Sequence, residues 1–407
     1  MSAVTRREFA GAVLALGAGR GFLGASTSVP GGVDETLRSG IAERKIPAVV
    51  GMAATGSKVI CSGAFGTRDS SGVPVTMDSI FAIASMTKAI TTVAALQLVE
   101  QGKVTLDEPV SKRLPKLAGL QVLEGFDQET GKPKLRPAGK QVTLKHLLTH
   151  TSGFCYDTWD RDMFQYMSHA DRTASAAGPL MFEPGTRWQY GPGIDWTGRL
   201  VEAVSGMNLE EYFQARILRP LDMRDTSFSV PASSFDRLVS RYQRQPDGSL
   251  KEDARALPTP HINGGGGLFS TAGDYVRFMQ MILGKGRGVN KAQILRPKTV
   301  RNMQVNQIGG LTAGKMKSYR PTQSSDVDIQ PGFSEKWGFG FLINTTAYSG
   351  GRSAGSLAWA GIDNTYYWID PKRSICAVLM MQYLPFVDKE AIGLLGDFER
   401  AVYAQAR

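Results

Sequence analysis

Residues 83–100, IASMTKAITTVAALQLVE, constrain the chain most. They read as a buried helix whose first turn carries Ser85 and, three residues later, Lys88. Residues three apart share one helix face, so the lysine lies beside the hydroxyl. A hydroxyl is a poor nucleophile near neutral pH and needs a neighbouring base. A helix N-terminus carries roughly half a positive charge, which favours a developing oxyanion. Ser85 is the only serine in the chain followed three positions later by lysine. The plain alternative is a solvated polar pair at a helix start. Phe81, Ile83, Ile90, Val93 and Leu96 surround it with apolar side chains instead, and a lysine there needs a reason.

A chain of 407 residues exceeds the usual size of one hydrophobic core, which predicts one large composite domain or two. With 42% hydrophobic and 21% charged residues it reads as a soluble globular protein. The formal charge is +10, and +8 without residues 1–32, which hold three arginines and one glutamate. The Lys and Arg are scattered, and no basic cluster alternates with aromatics, so no nucleic-acid partner is expected. Cys61, Cys155 and Cys376 lie in strand-like or apolar surroundings with no C-x-x-C pair, which predicts buried small side chains and no metal or redox site.

At the N-terminus, Thr5-Arg6-Arg7-Glu8-Phe9 precedes an Ala/Gly/Leu run at 10–23 that is too short to span a bilayer. Paired arginines before a weak apolar segment are similar to a twin-arginine export signal, which implies a periplasmic destination. Arg20 inside the run is atypical of such signals, and a cytoplasmic amphipathic tail is the alternative. No later stretch is long and apolar enough for a membrane span.

Further along, residues 34–44 predict a short helix, and 48–54 with 58–65 predict a hairpin turning at Thr55-Gly56-Ser57. Gly102 is the expected C-cap of the Ser85 helix. From there to about residue 330 the pattern is mostly helical, clearest at 142–149, 194–204, 209–217, 271–283 and 298–305. Strands return at 337–343, 356–360, 365–369 and 375–381, and 387–404 closes the chain as an amphipathic helix. Residues 119–140 and 312–335 read as long loops of the kind that frame a site. Strands at both ends with helices between them predict an α+β fold, an antiparallel sheet built from both chain ends and flanked by helices, with a mostly helical second lobe. The expected boundaries are a signal and linker at 1–32, a sheet lobe at about 33–80 and 336–407, and a helical lobe at about 81–335.

Tyr190 sits in Trp188-Gln189-Tyr190-Gly191-Pro192-Gly193, a turn-rich segment where a phenol could relay a proton between Ser85, Lys88 and a leaving group. Near the C-terminus, Leu357-Ala358-Trp359-Ala360-Gly361-Ile362 reads as a strand ending in glycine, where a ligand can approach the backbone closely. Together these stretches resemble the serine β-lactamase-like hydrolases, and more narrowly the family VIII carboxylesterases related to class C β-lactamases. Ser-x-x-Lys is the nucleophile motif of β-lactamases and penicillin-binding proteins. Here Ser85–Lys88, Tyr190 and Trp359-Ala360-Gly361 follow in the family's order, and residues 147–153, 220–228 and 264–271 also look familial. The resemblance covers roughly residues 34–400 and implies a β-lactamase/DD-peptidase-like fold. It implies Ser85, Lys88 and Tyr190 as catalytic residues, with Ser85, Trp359, Gly361 and Ile362 forming the oxyanion and substrate-binding side. The oxyanion hole would be the backbone N–H groups of Ser85 and Ile362. No cofactor and no metal is implied.

Two departures from the family pattern bear on substrate. Tyr190-Gly191-Pro192 stands where the lactamases have Tyr-x-Asn, so the amide that contacts a β-lactam side chain is missing. Trp359-Ala360-Gly361 stands where they have Lys-Thr-Gly, so a cation for the drug carboxylate is replaced by an indole. A charge-assisted hydrogen bond is worth about 1.5–3 kcal/mol, so its loss weakens carboxylate recognition by about one to two orders of magnitude. Both changes favour a neutral ester. Lysine and tyrosine ordinarily titrate near 10, so either must be depressed by its surroundings to act as a base. With a cation gone, the lean is towards Lys88 taking the Ser85 proton and Tyr190 relaying it to the leaving alcohol.

Gly351-Arg352-Ser353-Ala354-Gly355 matches the nucleophile elbow G-x-S-x-G, but a strand follows it and none of the four histidines lies after Ser353, so this reading is rejected. His146 and His150 have metal spacing but no third ligand, and read as structural. The glycine run at 264–267 lacks the Lys-Ser/Thr of a P-loop and reads as a site of close backbone packing. The aromatic-rich stretch 154–167 is read either as an acyl-pocket wall or as core.

The sequence therefore reads as a serine carboxylesterase-type hydrolase acting on a small-molecule ester through an acyl-serine. A β-lactamase, D-amino-acid peptidase or amidase, or an acyltransferase using the same nucleophile, is the alternative. A catalytically silent binding module of the same fold is the rival from outside enzymology.

Overall fold

The computed structural model describes residues 32–169, 177–254, 256–329 and 334–406. The export segment expected at 1–32 lies outside them except for Gly32. Helix α1 (Val33–Ala42) leads into the predicted hairpin, β1 (Ala48–Thr55) and β2 (Val59–Gly66), closed where the Thr55 N–H donates to the Lys58 carbonyl at 2.8 Å. A short strand β3 (Phe81–Ala82) and a tight turn at Ala84–Met86 then feed helix α2 (Thr87–Glu100). Next come β4 (Gln121–Phe126), β5 (Pro133–Pro137), α3 (Leu144–Leu148), α4 (Arg161–Met167), α5 (Gly193–Ser205) and α6 (Leu209–Phe213). Small strands β6 (Tyr242–Arg244), β7 (Leu250–Glu252) and β8 (Phe269–Ser270) precede α7 (Ala272–Leu283) and α8 (Pro297–Met303). The chain closes with β9 (Glu335–Trp337), β10 (Leu342–Asn344), β11 (Leu357–Gly361), β12 (Thr365–Asp370), β13 (Ile375–Met380), β14 (Tyr383–Leu384) and α9 (Lys389–Gln405).

The main sheet has seven strands in the order β2-β1-β13-β12-β11-β10-β9, every neighbouring pair antiparallel. The first and last segments of the chain thus share one sheet, as the pattern of strands at both ends predicts. Because successive strand residues face opposite ways, Trp368 and Tyr367 serve different layers. Trp368 meets Phe398 and Tyr403 of α9, while Tyr367 meets Tyr275 of α7 at 5.1 Å. Helix α7 comes from the middle of the chain yet packs on the sheet, so the expected two lobes are stitched together by it. Caps explain several helix starts: Thr271 accepts from Asp274 N–H ahead of α7, and Asp388 accepts from Glu390 and Ala391 N–H ahead of α9.

Three expectations need correction. Residues 119–140 are not a loop but the hairpin of β4 and β5, too short and too charged to stand out in the sequence. The run at 337–343 is not one strand. Gly338 and Gly340 (φ +79°) let the chain fold back between β9 and β10, close against Met303 and Thr92. The helix read at 209–217 is α6 followed by a wider π turn at Gln214–Leu218. The stretch at 312–335 folds on itself, with Met316 bridged to Val327 and Ala313 to Glu335.

Candidate active site

Ser85 lies in the turn before α2 and not in the helix itself. Ala84 sits at φ +42°, a conformation that costs an L-residue roughly 1–2 kcal/mol. Serines before a helix commonly cap it, but neither the turn nor α2 has a side-chain cap. The Ser85 hydroxyl is therefore not spent on the helix. Every residue of α2 from Thr87 to Leu98 is buried, which makes it the central helix and not an amphipathic surface one. Its hydroxyls tie it to the glycine run: Thr91 Oγ1 donates to Gly264 O at 2.6 Å, and Leu268 N–H donates to Thr87 Oγ1 at 3.3 Å.

Lys88, only 1% exposed, points its Nζ at Ser85 Oγ, 3.2 Å away, and donates to the carbonyl of Gly265. Two tyrosine rings flank the same nitrogen, Tyr190 with its centroid at 5.1 Å and Tyr156 at 5.4 Å. Tyr190 is buried by crossing the chain at 154–155: a Cβ at Gly191 would overlap the Phe154 carbonyl, and one at Gly193 would stand 2.8 Å from Leu147 O. The two glycines of this turn are there for close approach. Trp359 Nε1 donates to the Tyr190 hydroxyl at 3.1 Å. The indole thus meets the phenol instead of waiting for a substrate carboxylate.

Behind Tyr190 stands His150, at φ +56° and buried, its ring 4.7 Å from Tyr190 and 4.9 Å from Trp337. Burial, and then the charge of Lys88, hold its pKa well below the ordinary histidine range, so it stays neutral. His146 is occupied too: its Nδ1 accepts from Thr143 N–H at 3.2 Å, closing the capping box of α3. His146 is thus engaged in its helix cap, and His150 is packed among Tyr190, Trp188 and Trp337. Cys155 and Cys376 are buried and Cys61 is half-buried; burial raises all three thiols, Cys61 to about 11 and Cys376 to about 12. The elbow-like Ser353 sits beside the buried Arg352–Glu399 ion pair, with its N–H on Asp370 at 2.9 Å.

The end of β11 meets the nucleophile turn directly. A Cβ at Gly361 would stand 2.5 Å from the Ile83 carbonyl, so only glycine lets the strand approach. Ile362, half-buried, is the residue that follows this contact. The next residue, Asp363, is 4% exposed with Arg241 at 3.8 Å. Burial outweighs that arginine and pushes its carboxyl up to about 6 from the ordinary 3.8. The fold therefore binds a proton more tightly than the unfolded chain, and stability falls as pH rises through about 6. The gap is worth at most about 3 kcal/mol. Asp363→Asn is expected to raise the melting temperature at pH 8 and leave it nearly unchanged at pH 4. An equal shift at both pH values would contradict this.

Sequence reasoning missed the polar groups behind Lys88. Gly265 N–H donates to Asn263 Oδ1, Asn263 Nδ2 to Asp195 Oδ1, and the Tyr156 hydroxyl to Asp195 Oδ2, each at 2.9 Å. The glycine run was the one legible hint. Asp195 carried no signal of its own, and Tyr156 read as one aromatic among several in the stretch 154–167.

Comparison with known proteins fits this geometry. The description "Beta-lactamase" matches residues 33–397. The chain is 31% identical to monacolin J acid methylbutanoyltransferase of Aspergillus terreus, over 92% of this chain and 95% of that protein. It is 32% identical to lovastatin esterase of Penicillium rubens, over 86% of this chain and 90% of that one. It also superposes on unliganded simvastatin synthase (LovD) from Aspergillus terreus with a TM-score of 0.79 at 30% identity, covering 92% of this chain and 97% of the other.

Proposed function

The chain belongs to the beta-lactamase family and has that family's fold, and from this premise we propose that it cleaves short-chain carboxylic esters through an acyl-Ser85 intermediate. The observation that carries the reading is the buried Lys88 amine 3.2 Å from Ser85 Oγ, on a turn that leaves the hydroxyl uncapped. Ser85 Oγ attacks the ester carbonyl carbon while Lys88 takes the hydroxyl proton. The tetrahedral oxyanion rests on the N–H groups of Ser85 and Ile362. The carbon–oxygen bond to the alcohol then breaks, with the Tyr190 hydroxyl giving its proton to the leaving oxygen and regaining one from Lys88. Water attacks the acyl group by the reverse route. An indole N–H is a donor only, so at the Trp359 contact the phenol oxygen accepts and its own proton is directed elsewhere. This supports Tyr190 as the relay.

A neutral ester fits better than a β-lactam, because the indole N–H that replaces the family cation is taken up by Tyr190. Transfer of the acyl group to an alcohol is the second reading, favoured by a relative named as a methylbutanoyltransferase that aligns over 92% of this chain. The export route through residues 1–32 is part of the proposal and places the enzyme in the periplasm. Rates on nitrophenyl esters of increasing acyl length, beside nitrocefin and with a secondary alcohol added, test the reading. Short esters are expected to turn over far faster than nitrocefin, with free acid as the main product. A new ester as the main product favours the transferase, and nitrocefin turnover equal to that of the esters overturns the ester preference.

A further inference from the structure

We infer that Asp195 is a positioning residue for the base: with Asn263 it fixes the backbone at Gly265 so that its carbonyl aims the Lys88 amine at Ser85. The inference rests on the reading of Lys88 as base. The contacts form a closed circuit. Lys88 donates to Gly265 O, Gly265 N–H to Asn263 Oδ1, Asn263 Nδ2 to Asp195, and Tyr156 from the far side to Asp195, while the Tyr156 ring returns to within 5.4 Å of Lys88 Nζ.

Several features make this a constraint and not a chance chain of contacts. A Cβ at Gly265 would overlap the Asp195 carboxylate, so the carboxylate lies directly against that backbone. The peptide joining Gly264 to Gly265 is held at both ends, its N–H by Asn263 Oδ1 and its carbonyl by Thr91 Oγ1 at 2.6 Å. The next peptide, which carries the Gly265 carbonyl, is held by Gly266 N–H donating to the Asn263 carbonyl at 3.2 Å. Gly264 is pressed on Gly198 and on the Ile194 carbonyl of α5, the helix that carries Asp195. Burial, then the charge of Asp195, drives the Tyr156 phenol well above its ordinary pKa, so it is a permanent donor to Asp195. The Gly265 carbonyl and Ser85 Oγ are the two hydrogen-bond partners of the buried Lys88 amine, so the place of that carbonyl bears directly on where the amine points.

The donor pattern supplies the test. In Asp195→Asn the new amide can accept from Tyr156 only by turning its NH2 towards the NH2 of Asn263. Two donors then face each other. Turned the other way, the amide keeps Asn263, but the buried Tyr156 hydroxyl must accept instead of donate and its proton loses its partner. Either orientation gives up one of the two bonds Asp195 accepts. In Asp195→Asn/Asn263→Asp every bond is restored with the roles exchanged. Near-attack geometry is sensitive to displacements of about 1 Å, so Asp195→Asn is expected to lower kcat by about 10- to 100-fold with KM within about threefold. The exchanged pair is expected to recover kcat to within about fivefold of wild type, the coupling expected of direct contacts. Tyr156→Phe, which keeps the ring and removes one donor, is expected to lose about threefold or more in kcat and provides a reading if Asp195→Asn does not fold. An exchanged pair no better than Asp195→Asn, or wild-type kcat in Asp195→Asn or in Tyr156→Phe, overturns the inference. Lys88→Met measured alongside separates the two failures. If it is fully active, the base assignment falls; if it is inactive while Asp195→Asn is fully active, only the inference falls.

Discussion

Replacing Lys88 by methionine is expected to slow acylation of Ser85 by about 10³-fold, within the 10²–10⁴ range for loss of a positioned base. The amine is 3.2 Å from the hydroxyl, and the turn that carries Ser85 offers no histidine to replace it. Methionine has a similar volume, so packing inside α2 changes little. The cost to the fold is the unpaired Gly265 carbonyl, about 1–3 kcal/mol. Single-turnover rates with a nitrophenyl ester, read beside a melting curve, separate these effects: a large loss of rate with a modest loss of stability. An unchanged acylation rate and pH profile in Lys88→Met would remove Lys88 from the chemistry.

Gly361→Ala is expected to lower kcat/KM by about 10²–10³-fold, the loss typical of one oxyanion-hole donor. The added methyl would overlap Thr365 Oγ1 and stand 2.5 Å from the Ile83 carbonyl; the threonine side chain can turn aside, but the carbonyl is backbone and cannot. The end of β11 must move off the Ser85 turn and take the Ile362 N–H with it. Overpacking of this kind also costs about 1–3 kcal/mol of stability. The check is kcat/KM for a short ester together with the rate of Ser85 labelling by a fluorophosphonate. Both should fall together, since both reactions place negative charge on an oxygen held at the same site. Wild-type values for both would mean that the strand end does not serve the oxyanion.

What could be read from the sequence was what the chain encodes locally. The Ser85–Lys88 pair is a helix-period feature, and Gly102 as the end of α2 is a turn-residue feature; it sits at φ +70° just past the helix. Strands at both ends of the chain were enough to predict one sheet built from both. The strand read at 337–343 failed because an apolar run looks alike whether it continues or folds back, and only packing against Met303 and Thr92 shows why two glycines break it. The groups behind Lys88 were illegible for a different reason. Asp195 and Asn263 are 68 residues apart, and Lys88 and Gly265 are 177 apart, so no spacing rule joins them. The partner of Trp359 was illegible for the same reason: Tyr190 is 169 residues away. An indole in place of a lysine reads as a lost cation, and only the fold shows that its N–H is spent on the phenol.

The central claim is a covalent acyl group on Ser85, and rapid-quench mass spectrometry after mixing with p-nitrophenyl butyrate tests it most directly. The account predicts a single butyryl group on the peptide that contains Ser85, formed and lost at rates that match turnover, and absent from an inactive Ser85→Ala. A butyryl group on any other residue, or equal turnover by wild type and Ser85→Ala, would contradict it.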